Sequence, residues 1–177
     1  EQAMVSHLFP GPTADRSRTV QTIITRHPLE TDEARQKAET YTNFLFDVVR
    51  DLRARGLHGV QLVVSDAHTG LKAAIATVLQ GATWQRCRVH FLRNVLSRVP
   101  KGNAEMVAAA IRTIFAQPDA SAVREQLDAV ADKLSPGFPV VAAMLREARE
   151  DVTAFAAFPF AHWKKIWSTN PLERVNK

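Results

Sequence analysis

Cysteine is almost absent: Cys87 is the only one in 177 residues. An internal disulfide is therefore excluded, and this usage suits a reducing compartment such as the cytosol. No apolar run approaches the roughly 18 residues that a membrane-spanning helix needs. The opening stretch "EQAMVSHLFPGPTADRSR" has no basic segment leading into a long apolar run, so it does not read as a signal peptide. Position 1 is Glu rather than Met. No internal repeat and no low-complexity tract is visible. Charged residues at 23% and hydrophobic residues at 46% exclude a disordered polyampholyte and describe an ordinary globular chain. The length suffices for one domain with its own core.

What is present leans basic. Lys and Arg number 23 against 18 Asp and Glu, a formal charge of +5. That balance favours a polyanionic partner such as nucleic acid, although many soluble proteins share it.

Residues 1–30 show no sustained helical period and are expected to be an irregular leader, with "TVQTIIT" (19–25) as one candidate strand. Residues 31–55 form a predicted helix. Thr31 is its candidate N-cap, and Asp32 and Glu33 stand in a first turn that favours acids. Tyr41, Phe44, Leu45, Val48 and Leu52 repeat at helical steps as one apolar stripe. Gly56 ends the helix. "VQLVVSD" (60–66) is apolar and β-branched, the pattern of a strand buried on both faces. "TGLKAAIATVLQG" (69–81) follows as a helix and "TWQRC" (83–87) as a second strand. Helix, strand, helix, strand implies an α/β core with parallel pairing. From residue 88 to 160 only helical patterns occur, which suggests a large all-helical insertion. Within it, residues 138–158 form one long helix or two.

Several residues invite a chemical reading. Asp66 ends a buried strand, where ligands bind in open parallel sheets; it either holds a divalent metal or caps the turn into the next helix. His68, two residues later, has the ordinary roles of a solvated or cap-forming residue. Cys87 and His90 form a C-x-x-H pair. A structural zinc site needs four ligands, and no second cysteine is available. The pair therefore belongs either to the core or to the lining of an active site. The run "RCRVHFLRNVLSRVPK" (86–101) carries Arg86, Arg88, Arg93, Arg98 and Lys101 and no acid. It forms a solvated basic face or a phosphate-contacting one. Trp163 and Trp167 share a helix face, suited to core packing or to stacking on a base. In "STNPLERVNK" (168–177), Asn170 suits an N-cap, Pro171 the first helical position, and Glu173 the third, the arrangement of a capping box.

Taken in order, "LVVSDAHTGLKAAI", "WQRCRVHFLRNVL" and "IWSTNPLERVNK" resemble the Mutator-type DDE transposases of bacterial insertion sequences. The resemblance runs from about residue 44 to residue 177. It implies a partial RNase H-like core, parallel strands with flanking helices, spanning 31–99. A helical insertion then occupies 100–162, and 163–177 begins the last core helix. It also implies that Asp66 is the second catalytic acid and Glu173 the third, both metal ligands. Cys87 and His90 match a C-x-x-H signature between those acids. The implied cofactor is Mg²⁺, with Mn²⁺ as a substitute. The implied activity is DNA strand cleavage and strand transfer, with element ends and target DNA as partners. Arg86, Arg88, Arg93, Arg98, Lys101, Arg174 and Lys177 are the candidate DNA contacts. The full-length protein is expected to form a homo-oligomer in the cytoplasm, associated with the nucleoid and away from membranes.

The chain departs from that pattern at both ends. Asp15 stands in a polar turn-like setting, Asp32 in a first helical turn, and Asp47 and Asp51 inside a helix. None suits the first catalytic acid, which belongs on a buried strand. The N-terminal DNA-binding region that the resemblance implies is not expected within residues 1–177, and only the start of the last helix is expected there. The expectation is an inactive fragment of a transposase. The alternatives are a non-enzymatic basic DNA-binding remnant and another RNase H-like nuclease.

Overall fold

The computed structural model describes residues 2–4, 22–23 and 32–169. Contacts divide the chain into two compact units, residues 1–84 and 85–177.

In the first unit, α1 (Asp32–Ala54) presents Leu45 and Val49 to the core, with Tyr41, Val48 and Leu52 half-buried beside them. Phe44, expected in the same stripe, is instead 49% exposed and meets Tyr41 at a tilt, ring centres 6.1 Å apart. Positions 41, 45, 48, 49 and 52 follow the 3.6-residue period closely, and position 44 falls on the flank. The helix turns off at Gly56, whose φ of 98° only glycine adopts without strain. Strand β3 (Leu62–Ser65) is buried at all four positions, and α2 (Thr69–Val78) follows it. Helix α2 packs on α1 through Gly70: a Cβ added there would stand 2.6 Å from Thr42 Oγ1. The end of α1 also serves α2, because the Arg53 guanidinium donates to the Val78 carbonyl. That carbonyl lies in the last turn, where no helical partner exists.

The sheet has the order β2-β1-β3-β4, with β1 at Gln2–Met4, β2 at Thr22–Ile23 and β4 at Thr83–Arg86. Strands β3 and β4 are joined through α2, the crossover that a parallel pair requires. Strand β1 runs antiparallel to β3, with Ala3 opposite Ser65 and Met4 opposite Val64, and β2 runs antiparallel to β1. The sheet is therefore mixed rather than purely parallel. Part of the segment expected to be an irregular leader is paired into it. A buried strand such as β3 needs partners for the backbone groups on both edges, and β1 supplies one of them. Strand β2 lies within the predicted 19–25 candidate. Thr31, the candidate cap of α1, lies outside the described residues.

Beyond the end of β4 at Arg86, the regular structure of the described residues is helical. It comprises α3 (Arg88–Leu96), α4 (Ala104–Ile114), α5 (Ala120–Leu134), α6 (Pro139–Glu147), α7 (Arg149–Thr153) and α8 (Trp163–Ile166), with short 3₁₀ turns between. The stretch 138–158 is two helices, broken at Ala148. Asp119 caps α5 by accepting from the Ala122 amide at 2.9 Å, and Pro139 opens α6. The core of this unit is aromatic at one end. Phe155 is fully buried, with its ring 5.0 Å from Trp163, 5.7 Å from Trp167 and 5.8 Å from Phe115. Trp163 is thus a core residue, and Trp167 stands half-buried at the edge of the cluster. The described architecture is a mixed α/β core, a small sheet flanked by helices, with further helices appended.

Candidate functional site

Strand β3 ends at Ser65, and Asp66 follows it, only 4% exposed. The turn is fixed by its neighbours. The Ser65 hydroxyl donates to the Asp66 carbonyl at 2.9 Å and accepts from Trp84 Nε1 at 2.8 Å. His68 is the N-cap of α2: its Nδ1 accepts from the Leu71 amide at 3.3 Å, and its ring meets Tyr41 edge-on at 5.8 Å. His68 thus holds the N-cap position of α2, and Asp66 stands buried just beyond the strand end.

Strand β4 has a matching end. Gln85 is fully buried, and its amide is used on both sides. Its Nε2 donates to the carbonyls of Arg86 at 2.7 Å and Val152 at 3.0 Å, while its Oε1 accepts from the Phe155 amide at 2.7 Å. Cys87 follows β4 as the N-cap of α3 and is also fully buried. Its sulfur lies 3.4 Å from Thr169 Oγ1 and accepts from the Thr169 amide at 3.5 Å. His90 stands in the first turn of α3, half-buried. Asp66 and Cys87 each stand one residue past a strand end, that of β3 and that of β4.

The basic run divides by environment. The Arg86 guanidinium lies over the Phe91 ring, 4.9 Å from its centre. Arg88 lies over Trp167 at 3.7 Å and over Phe115 at 5.3 Å. Burial lowers the pKa of Arg88, and the neighbouring Cys87 acts in the opposite direction; a guanidinium remains a cation through both. Arg93, Arg98 and Lys101 are exposed. Asp47 and Asp51, weighed for the first acid, are exposed on α1 beside Arg50 and Arg55. Asp15, Glu173, Arg174 and Lys177 lie outside the described residues, as do Asn170 and Pro171.

The family model for "Transposase, Mutator family" matches residues 33–177. The chain belongs to that family. It is similar to the transposase of insertion sequence element IS1081 from Mycobacterium tuberculosis, 50% identical over 128 residues, which is 72% of this chain and 31% of the relative. Similarity to the ISRM5 transposase of Rhizobium meliloti is 40% over 131 residues, covering 74% of this chain and 33% of that one. The IS256 transposase of transposon Tn4001 in Staphylococcus aureus is 35% identical over 144 residues, 80% of this chain and 36% of the relative. The Mutator-family chain thus spans about a third of the length of these curated relatives. Among the described residues no helix is long and apolar enough to cross a membrane.

Proposed function

We propose that this chain supplies part of the RNase H-like catalytic core of an insertion-sequence transposase. The whole protein would carry out metal-dependent DNA cleavage and strand transfer. The observation that carries the reading is Asp66: a buried carboxylate at the end of β3, in a turn whose cap is His68. Family membership supports the reaction class.

The donor set decides which ion fits. Mg²⁺ prefers hard oxygen ligands, whereas thiol sulfur and imidazole nitrogen suit softer ions. Asp66 offers a carboxylate oxygen, whereas Cys87 offers sulfur and His90 nitrogen. The Mg²⁺ or Mn²⁺ reading therefore assigns the ion to Asp66 together with Glu173, with Cys87 and His90 lining the site. A divalent ion held there supplies activation of an attacking hydroxyl and neutralisation of the leaving oxygen. Asp66 does its part by standing at a fixed strand end, and the cap at His68 keeps the turn from relaxing around it.

Two acids without the first one hold an ion weakly, so residues 1–177 alone are proposed to lack cleavage activity. Arg93, Arg98 and Lys101, with Arg86, Arg88, Arg174 and Lys177, are proposed to contact phosphates of the element ends and target DNA. Homo-oligomerisation of the full-length protein and a cytoplasmic, nucleoid-associated location complete the reading.

The test is a Mn²⁺ titration of the chain followed by electron paramagnetic resonance, beside incubation with terminal-repeat DNA and Mg²⁺ or Mn²⁺. Weak Mn²⁺ binding that falls at least about tenfold in Asp66→Asn is expected, since an acid ligand is lost. Clean cleavage at an element end, abolished in Asp66→Ala, would overturn the proposed inactivity. Mn²⁺ binding unchanged in Asp66→Asn would overturn the site itself. DNA binding that weakens steeply with salt, with no metal binding at all, would favour the non-enzymatic DNA-binding alternative.

A further inference from the structure

The C-x-x-H pair is proposed only to line the site, and its cysteine is held by contacts of its own. Cys87 is fully buried, and its sulfur is directed at a residue 82 positions away in the chain. Thr169 approaches it twice, through its hydroxyl at 3.4 Å and its amide at 3.5 Å. The next residue grips the same segment. The Arg88 amide donates to the Trp167 carbonyl at 3.0 Å, and its guanidinium lies 3.7 Å from the centre of the Trp167 ring. Adjacent residues at the start of α3 thus hold residues 167 and 169 by four contacts of three chemical kinds. Ser168, between them, is buried. The held segment leads directly, in sequence, into Asn170, Pro171, Leu172 and Glu173.

We infer that Cys87 and Arg88 are positioning residues: they clamp residues 167–169 and so set where the following acid segment begins, the thiol serving as a hydrogen-bond partner and not as a metal ligand. The part of this inference that concerns Glu173 rests on its proposed role as a metal-binding acid; the clamp itself does not.

The chemistry suits the task. A glutamate that reaches an ion must be aimed to within a fraction of an ångström, and such precision comes from neighbours that are themselves locked. A cysteine fills a small apolar space and still offers a weak acceptor and donor. A buried serine would leave a stronger polar group that must be fully satisfied. Arg88 brings a flat cation that covers the indole face, which lysine does not reproduce. The positive charge at the start of α3 opposes the helix dipole, and this unfavourable placement is accepted where the guanidinium has an aromatic partner.

Amide hydrogen exchange of the chain reads the clamp directly. In Cys87→Ala and in Arg88→Ala, exchange of peptides covering residues 167–169 is expected to rise about fivefold to tenfold, the effect of losing one net hydrogen bond or ring contact. Peptides from α5 and α6 should be unchanged. Cys87→Ser should recover part of the protection, and Arg88→Lys less than half of it. Unchanged exchange at 167–169, or an equal rise everywhere, overturns the clamp. Cd²⁺ tests the thiol: a sulfur-to-cadmium charge-transfer band in the wild-type chain that Cys87→Ser removes would make Cys87 a ligand and overturn the inference, and its absence supports it. Mn²⁺ affinity separates the two readings. Loss of affinity in Cys87→Ala matching that in Glu173→Gln supports positioning of the acid. If neither variant changes Mn²⁺ affinity while local exchange rises, the clamp stands and the role proposed for Glu173 fails. Should Cys87→Ala not fold, Arg88→Lys carries the same exchange test.

Discussion

The two units bury their apolar surface by different means. Residues 1–84 use an aliphatic core: Leu45, Val49, Val63, Leu71, Ile75 and Val78 pack as α1 and α2 meet beside β3. Close approach of the helices there depends on a missing side chain, at Gly70. Residues 85–177 use rings and hydrogen bonds. Phe115, Phe155, Trp163 and Trp167 form one aromatic cluster, and the buried amide of Gln85 ties the end of β4 to the carbonyl of Val152 and the amide of Phe155. The lesson is about tolerance. An aliphatic helix pair is adjustable in detail but sensitive to added volume. A ring cluster stitched by a buried amide is sensitive to removal, because each loss leaves either a cavity or an orphaned polar group.

The sharpest way to break this contrast is Phe155→Ala. Removing a fully buried ring that touches three others is expected to cost about 3–5 kcal/mol. Thermal melting should show the loss, and amide exchange should place it in α4, α5 and α8; a cost under about 1 kcal/mol would mean that the cluster repacks as readily as an aliphatic core. Next comes Gln85→Leu, which keeps the volume and removes the amide. The Phe155 amide and the Val152 carbonyl then lose a partner, each at about 1–3 kcal/mol. A denaturant midpoint equal to wild type would show that the hydrogen bonds contribute nothing beyond packing. The smallest effect is expected in the first unit, at Gly70→Ala, about 1–3 kcal/mol from overpacking against Thr42. Adding Thr42→Ala removes the nearest atoms, Oγ1 and Cγ2, and should restore part of the loss in a double-mutant cycle. Simple additivity of the two costs would show that the contact does not limit the helix approach.

Much of the frame was legible from residue patterns. Strands β3 and β4 and helices α1 and α2 appear where apolar period and glycines placed them, within the usual uncertainty at the ends. Asp66 was legible as a candidate because strand ends in α/β sheets collect ligands. Phe44 was misjudged because a helix period leaves the flank of a stripe ambiguous by one residue. Strand β1 was invisible because three residues show no alternation, and its pairing with β3 is a property of the partner. The basic run looked uniform, yet Arg86 and Arg88 lie over rings while Arg93, Arg98 and Lys101 face solvent. No count of charges separates those cases.

What the sequence determined by itself is local: which stretches coil or extend, where they stop, and the order of the acids, the C-x-x-H pair and the tryptophans that marks the Mutator family. Those features follow from near-neighbour sterics and from periodicity, which a linear reading captures. Only the tertiary structure decided which side chain caps α2, where the Gln85 amide finds its partners, and that the Cys87 sulfur meets Thr169. Each of those is a choice among competing partners far apart in the chain. Burial makes the choice, because a polar group taken from water must be satisfied by whatever the fold brings beside it.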